Sequence, residues 1–559
     1  MILVGLILVP LIGALALAAL PAAKARAAAT ATTLIVCVLG IAAAGTFDWS
    51  FGGSMQFPAK FDWIPSLGLS FSVGADSVAL SLILLTVLLG PICVISSATA
   101  ITEREKTYYG WLLILQAAMT GVFASRDLLL FYICFEFTLI PMYILISLYG
   151  STNRKAAATK FFLYTFTGSV IALAGFFYVV WFNATQVPKA STLIDGVLSG
   201  EWTLDIATLE AAARKMPADA QAWVLGALLL GFAVKVPLFP LHTWLPLAHT
   251  EAPTAGSVIL AGVLLKLGTY AIYRFAIPFA PAAFVEYAPF IAAVSVIGIL
   301  YGGLICWVQT DVKKLVAYSS VAHLGFCILG LAALNNTGVT GSILYMINHG
   351  LSTGALFLLI GMVYERYHTR SMKELGGLAS KMPVWSTFMV FFTMASVGLP
   401  GLNGFISEFL CLFGAFQASP NWGHGLWGTA AGQAPGGTSV TDLGPWLAFL
   451  AGIGMIIAAI YLLYMVGKVV WGPLVEPHGH GDHGHDHHAK LPPDLTGREV
   501  GVLVPLAVLC VALGVYPQPL IDALKEPVTR TVVNAAENSR LPAPAAPVHT
   551  HAQAAEAGR

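Results

Sequence analysis

Residues Gly231–Gly268 read GFAVKVPLFPLHTWLPLAHTEAPTAGSVILAGVLLKLG. Two long apolar runs meet here. They carry Lys235 and Lys266, with His242, His249 and Glu251 between them and prolines at 237, 240, 246 and 253. A lysine at the middle of a membrane costs about 2.5–3.5 kcal/mol on insertion scales and needs a partner, a cavity or a function. Pro237 and Pro240 remove backbone donors and clash with the preceding turn, so the first run is expected to break just after Lys235. A break at membrane depth is tolerated only where it is packed in protein or lines water. An ionisable group beside such a break points to a transport site.

The surrounding chain fits that setting. Of 559 residues, 57% are hydrophobic and 10% charged, against about 25% charged in a soluble domain. The composition is that of an all-α polytopic protein in a lipid bilayer. Basic and acidic residues balance at 28 each. That says nothing by itself about partners, and no nucleic acid is expected. The seven cysteines (37, 93, 134, 306, 327, 411 and 510) all lie in apolar runs with no CxxC spacing. This excludes an iron–sulfur or zinc framework of the usual kind. The opening MILVGLILVP has no basic n-region, so it reads as an uncleaved helix rather than a signal peptide.

At about 20 residues per crossing, 14 apolar segments are long enough to span. They fall near 2–22, 30–46, 77–98, 108–125, 128–149, 160–182, 222–247, 254–278, 285–308, 315–334, 340–363, 384–416, 446–471 and 500–518. Two are interrupted, at VKVPLFP and at VGLPGLNG. With the N-terminus placed outside, the inside loops and their flanks carry 16 Lys and Arg residues and the outside loops six, Arg274 among them. The bias puts both termini on the outer side. The interrupted span with Lys235 is the fourth of five in 108–278. The one with Glu408 is the fourth of five in 279–471. An odd count per unit inverts the second relative to the first, and paired broken helices in inverted units are a transporter signature. Residues 1–107 precede these units with three spans. Residues 472–499 form a His-rich loop on the cytoplasmic side, 500–518 the last span and 519–559 a tail whose Ala/Pro-rich end is expected to be disordered.

Seven residues at membrane depth are the candidate relay. Glu136 has no charged neighbour within eight residues, so it cannot snorkel to an interface. Its two readings are a functional acid and a carboxyl bonded to a neighbouring helix. Lys235 stands at the break. Paired with Glu136 it keeps its charge, and separated from it, it can release its proton; the alternative is a static ion pair that fixes packing. Lys266 lies about 12 residues into its span, hence near mid-depth at ~1.5 Å per residue. His242, His323 and His349 are read equally as relay groups or as polar packing, the last two beside Ser319, Ser320, Ser352 and Thr353. Glu408 follows GLPGLNGFISEF, whose glycines lack the strand and GK[ST] of a nucleotide loop. Six histidines with Asp482 and Asp486 in HGHGDHGHDHH (478–488) read as a solvated loop rather than a built metal site.

At Glu136, Lys235, Lys266 and Glu408 together, the sequence resembles the antiporter-like membrane subunits of respiratory complex I, the proton-translocating NADH:quinone oxidoreductase. The resemblance runs through RDLLLFYICFEFTLIPMYILI, the Lys235–Lys266 stretch, DVKKLVAYSSVAHLGF and GLPGLNGFISEF, and covers roughly residues 1–517. It is to the M-type branch, the bacterial counterpart of mitochondrial chain 4, because its L- and N-type relatives typically place a lysine where Glu408 stands. The resemblance implies 14 helices with inverted five-helix repeats. It also implies a Glu136–Lys235 coupling pair, a central connection through Lys266 with His323 or His349, and release to the outside at Glu408. It implies no flavin, cluster or quinone site on this chain, with NADH, FMN, iron–sulfur clusters and quinone on partner subunits. The implied partners are other complex I membrane subunits, above all the L- and N-type neighbours, in a bacterial inner membrane. The alternatives are a stand-alone or Mrp-type cation/proton antiporter subunit and a structural anchor whose charges only pack helices.

Overall fold

In a bilayer every backbone group must be satisfied inside its own segment, so long apolar runs become helices. A computed structural model of the chain describes residues 1–64, 68–187, 193–194, 197–198, 202–423, 443–477 and 493–540. The run 478–488, the end of the tail and most of the expected loop 418–444 lie outside the described residues. In chain order the elements begin with α1 (Ile2–Ala19), α2 (Ala25–Thr46), an antiparallel hairpin of β1 (Gln56–Ile64) and β2 (Leu69–Ala75), α3 (Ser77–Ser96) and α4 (Glu105–Ala124). Next are α5 (Leu128–Phe137), α6 (Leu139–Tyr149), α7 (Arg154–Gln186), α8 (Ile206–Ala213), α9 (Ala218–Lys235) and α10 (Leu245–Glu251). Then follow α11 (Thr254–Phe279), α12 (Pro281–Trp307), α13 (Val312–Ala332) and α14 (Asn336–Tyr367). The chain continues with α15 (Pro383–Val397), α16 (Asn403–Phe416), α17 (Leu443–Val469), α18 (Gly497–Val515), α19 (Gln518–Val528) and α20 (Asn534–Arg540).

Helix stands at each of the segments expected to span. Twelve described helices, with α5 and α6 taken together, are long and apolar enough to cross a membrane. The chain is a multi-pass membrane protein. Both expected interruptions are present. α9 ends at Lys235 itself, and α10 starts at Leu245. α15 ends in Gly398 at φ +83°, a left-handed cap that favours glycine, and α16 resumes at Asn403. Three features were not legible beforehand. The hairpin β1–β2 adds strand to a helical fold. α5 and α6 are separated at Thr138. And α11 contains two π turns, Leu260–Leu264 and Ile272–Ala276.

Helix starts follow the usual chemistry of caps. Asp127 accepts from the Leu129 and Leu130 amides, Asp311 from those of Lys313 and Lys314, and Asn335 from that of Gly338. Thr496 and Glu499 form a capping box at α18. The bundle is layered by burial. α11 and α14 are enclosed along their whole apolar windows, while α1, α2 and α18 are buried over only 28% of theirs. The core therefore runs along α11, α13 and α14, the helices that carry Lys266, His323 and His349.

Arg274 corrects the expected loop assignment. It lies in the second π turn of α11, almost buried. Its Nη2 donates to Asp76 Oδ2 at 2.5 Å, and its Nε donates to the Tyr270 hydroxyl at 3.2 Å. The other oxygen of Asp76 caps α3 by accepting from the Ala79 amide at 2.8 Å. One carboxylate thus ends one helix and neutralises another. Removing it with Asp76→Ala leaves a nearly buried guanidinium without its counter-ion, which costs about 3–5 kcal/mol. The thermal midpoint of the purified protein should fall clearly in Asp76→Ala and less in Asp76→Asn, which retains the cap acceptor. Equal midpoints for the two variants would contradict this account.

Candidate functional site

The break after Lys235 leaves the carbonyls of the last turn of α9 to find other donors. Val236 N donates to Phe232 O at 2.8 Å and Leu238 N to Ala233 O at 2.9 Å. The Trp244 indole reaches back to Val234 O at 2.8 Å. Three carbonyls of the last turn, those of Phe232, Ala233 and Val234, are therefore satisfied at the interruption. The buried Lys235 amine leaves the helix end and donates to Phe135 O at 2.8 Å, 3.4 Å from the centroid of the Phe135 ring. A cation over a desolvated ring is attracted by its quadrupole. The Thr138 hydroxyl, at the α5–α6 junction, is 3.5 Å away.

No hydrogen bond or ion pair joins Glu136 to Lys235. The lysine binds the carbonyl one residue earlier. Glu136 itself is half-buried, on a helix face where Ile133, Phe137 and Ile140 are exposed. The expected coupling pair is thus adjacent but open in this arrangement.

Lys266 is fully buried. It follows the first π turn of α11, whose looser ladder frees carbonyls. Its amine donates to Ala261 O within that turn and contacts His349 Nδ1 at 2.7 Å. The rings of His349 and His323 stand 5.7 Å apart between centroids. His323 Nδ1 is hydrogen-bonded to the Tyr345 hydroxyl, and that hydroxyl donates to Glu408 Oε1. His323 Nε2 faces the Tyr461 hydroxyl at 3.4 Å. A line of buried polar groups therefore runs from Lys266 through His349, His323 and Tyr345 to Glu408, hydrogen-bonded throughout except between the two imidazoles, where His349 Nε2 has no partner among the described residues. Four of the seven expected residues meet in it.

The other three stand apart from this line. Lys235 lies on the neighbouring α9, whose Phe232 carbonyl and Val236 amide pack closely on Gly268, two residues beyond Lys266. Glu136 is on α5, one residue beyond the carbonyl that holds Lys235. His242 sits in the break between Phe239 and Tyr301, with ring centroids 5.9 and 5.3 Å away, and does not touch the line.

The sequence reading missed Tyr345 and Tyr461. Tyr345 lies four residues before His349, a spacing that puts both on one helix face; that was the available signal. It also missed the amide pair at the second break. Asn348 Nδ2 donates to Asn403 O at 2.7 Å, and Asn403 Nδ2 donates to Asn348 O at 3.2 Å. This reciprocal bond fixes the start of α16, and with it Glu408, against α14. Among the described residues, Glu408 Oε2, Asn348 Oδ1, Asn403 Oδ1 and the hydroxyls of Thr393 and Ser396 have no partners. Buried oxygens of that kind are where ordered water is expected. His249, also outside the expected set, stacks flat on Phe357 at 4.7 Å, and neither ring nitrogen has a partner among the described residues.

Comparison with known proteins bears on this arrangement. The family model described as NADH:quinone oxidoreductase/Mrp antiporter, transmembrane, matches residues 125–432. NADH-quinone oxidoreductase subunit M of Rhodobacter capsulatus is 38% identical over 515 residues, covering 90% of this chain and 89% of that one. A chain of respiratory complex I from Thermus thermophilus superposes with a TM-score of 0.79 at 28% identity, over 96% of this chain and 99% of that one. A chain of the Mrp complex from a Dietzia species has a TM-score of 0.75 at 21% identity, over 95% and 98%. At that identity the last likeness shows the fold alone.

The Lys266–His349 contact gives a direct energetic prediction. A hydrogen bond from a charged donor contributes about 1.5–3 kcal/mol. A double-mutant cycle with Lys266→Met and His349→Leu, read by thermal unfolding, should return a coupling of that order. Additive effects would show that the two groups do not interact.

Proposed function

This chain belongs to the NADH:quinone oxidoreductase/Mrp antiporter membrane family, and on that premise we propose that it is a proton-translocating membrane subunit of an NADH:quinone oxidoreductase. The observation that carries the reading is the buried line Lys266–His349–His323–Tyr345–Glu408. Every member can hold or pass a proton. Each end lies beside a helix irregularity, a π turn at Lys266 and a left-handed glycine break at Glu408.

In this reading protons come from the cytoplasm, rest on Lys235 or Lys266, pass the histidines and leave by Glu408. Lys235 acts as the switch. Bound to the Phe135 carbonyl it is separated from Glu136; a short swing of either side chain closes the pair. Making and breaking that pair alters the charge felt at Lys266 across the α9–α11 contact, because a charge in a medium of low dielectric acts over several ångströms. His242, beside Phe239 and Tyr301 in the break, is assigned to the cytoplasmic approach to Lys235. Flavin, cluster and quinone chemistry is assigned to partner subunits, with this chain contributing no redox centre.

The exposed apolar face beside Glu136, formed by Ile133, Phe137 and Ile140, is assigned to a neighbouring membrane subunit of the L or N type, while the Glu136 carboxylate oxygens are enclosed within this chain. The units 108–278 and 279–471 are read as inverted repeats, each with a break in its fourth crossing. Both termini are placed on the periplasmic side of a bacterial inner membrane. The greater identity to oxidoreductase subunits than to the Mrp chain weighs against a secondary antiporter.

Two measurements test this. Purified from its native membrane in mild detergent, the chain should bring with it flavin- and cluster-bearing subunits and NADH:quinone activity; isolation with small membrane proteins alone would move the assignment to a secondary antiporter. In the assembled complex, Lys235→Ala should abolish pumping, or pumping together with coupled turnover. A normal proton-to-electron ratio in that variant would refute the role given to Lys235.

A further inference from the structure

The buried line depends on one oxygen that no motif points to. Tyr345 stands on α14, His323 on α13 and Glu408 on α16. The phenol hydroxyl is hydrogen-bonded to His323 Nδ1 and to Glu408 Oε1 at once. Without it the two cannot exchange a proton directly, because His323 Nδ1 and Glu408 Oε1 are 3.6 Å apart, beyond a useful hydrogen bond. The tyrosine is 2% exposed, and its ring packs against His323 and Phe326 at 5.8 and 6.1 Å between centroids. The ring is held by packing while the hydroxyl hydrogen is free to turn about the Cζ–O bond.

We propose that the Tyr345 hydroxyl is itself a relay member, passing one proton from His323 to Glu408 and then having to turn before it can pass another. This deepens, and rests on, the proton-translocating reading above. The step balances without any co-reactant. Protonated His323 gives its Nδ1 proton to the phenol oxygen while the phenol's own proton moves to the Glu408 carboxylate. The imidazolium becomes neutral imidazole, the carboxylate becomes a carboxylic acid, and the phenol is a neutral hydroxyl before and after. Its hydrogen now faces His323. The O–H must rotate back toward Glu408, once that carboxyl has released its proton, before the next transfer. The proton arrives on Glu408 Oε1, and rotation of the carboxyl, whose other oxygen Oε2 has no partner among the described residues, turns it away from Tyr345 for release.

While the hydroxyl hydrogen faces His323 and Glu408 still holds the proton, only the reverse transfer is open, so forward flow depends on release from Glu408 followed by the turn of the O–H.

The test uses the whole complex reconstituted in vesicles, with protons moved per NADH oxidised as the readout. Tyr345→Phe removes only the hydroxyl. Its expected effect is the loss of the same share of the ratio that Glu408→Gln removes, with no further loss in the double variant. A wild-type ratio in Tyr345→Phe beside a reduced one in Glu408→Gln overturns the role of the tyrosine and leaves the relay reading standing. Wild-type ratios in both overturn the relay reading and this inference with it. A second probe covers failure of Tyr345→Phe to assemble: 3-fluorotyrosine introduced in place of Tyr345 retains the hydroxyl and makes it more acidic. A relay phenol alters the solvent isotope effect on pumping-coupled turnover at neutral pH; an unaltered effect overturns the proposal, since a packing residue has no reason to respond.

Discussion

A charged or polar group in the hydrocarbon layer has no water to fall back on, so each must find its partner inside the protein. That constraint orders this structure. Lys266 is the extreme case: wholly enclosed, it is bonded to a carbonyl of its own π turn and to His349. His349 packs its ring on His323, His323 is hydrogen-bonded to Tyr345, and Tyr345 to Glu408. The enclosing helices, α11 and α14 above all, are the most buried in the bundle for the same reason.

The helix irregularities are the means by which this is done. A regular helix spends its carbonyls on its own ladder and has none to offer. The π turn at Leu260–Leu264 frees Ala261 O for Lys266, and the α5–α6 junction frees Phe135 O for Lys235. At the second break Asn348 and Asn403 exchange side-chain amides for backbone carbonyls. The backbone is thus used as a ligand at three points along the chain. At each point the freed carbonyl or amide lies beside a residue of the candidate relay.

Much of this was legible in the sequence, for identifiable reasons. Proline has no amide proton, so VKVPLFP fixed the end of α9 at Lys235. Glycine alone accepts the left-handed cap, so VGLPGLNG marked the second break. Charges are rare in an apolar chain, so Lys266 and Glu408 stood out against their surroundings. What was hidden lacked such contrast. A tyrosine in SILYMINHG looks like any aromatic core residue, and only the helical spacing to His349 hints otherwise. The π turns leave no residue signature, since any apolar run can adopt one. Arg274 read as a loop cation because its carboxylate partner, Asp76, lies 198 residues away. Glu136 and Lys235 were read as a pair that closes and opens; here a carbonyl one residue away holds the lysine.

The Lys266–His349 contact has a consequence for how the chain is made. The two residues are 83 positions apart, and a ribosome adding on the order of 5–20 residues per second delivers the lysine several seconds before the histidine. During that interval α11 carries an amine with nowhere in the lipid to go. It must be sheltered at the insertion machinery, or by α3 and α9, until α14 arrives. Biogenesis of the first half is therefore not independent of the second. A chain interrupted between the two residues would present the membrane's quality control with a stranded cation, a built-in signal that synthesis has not finished.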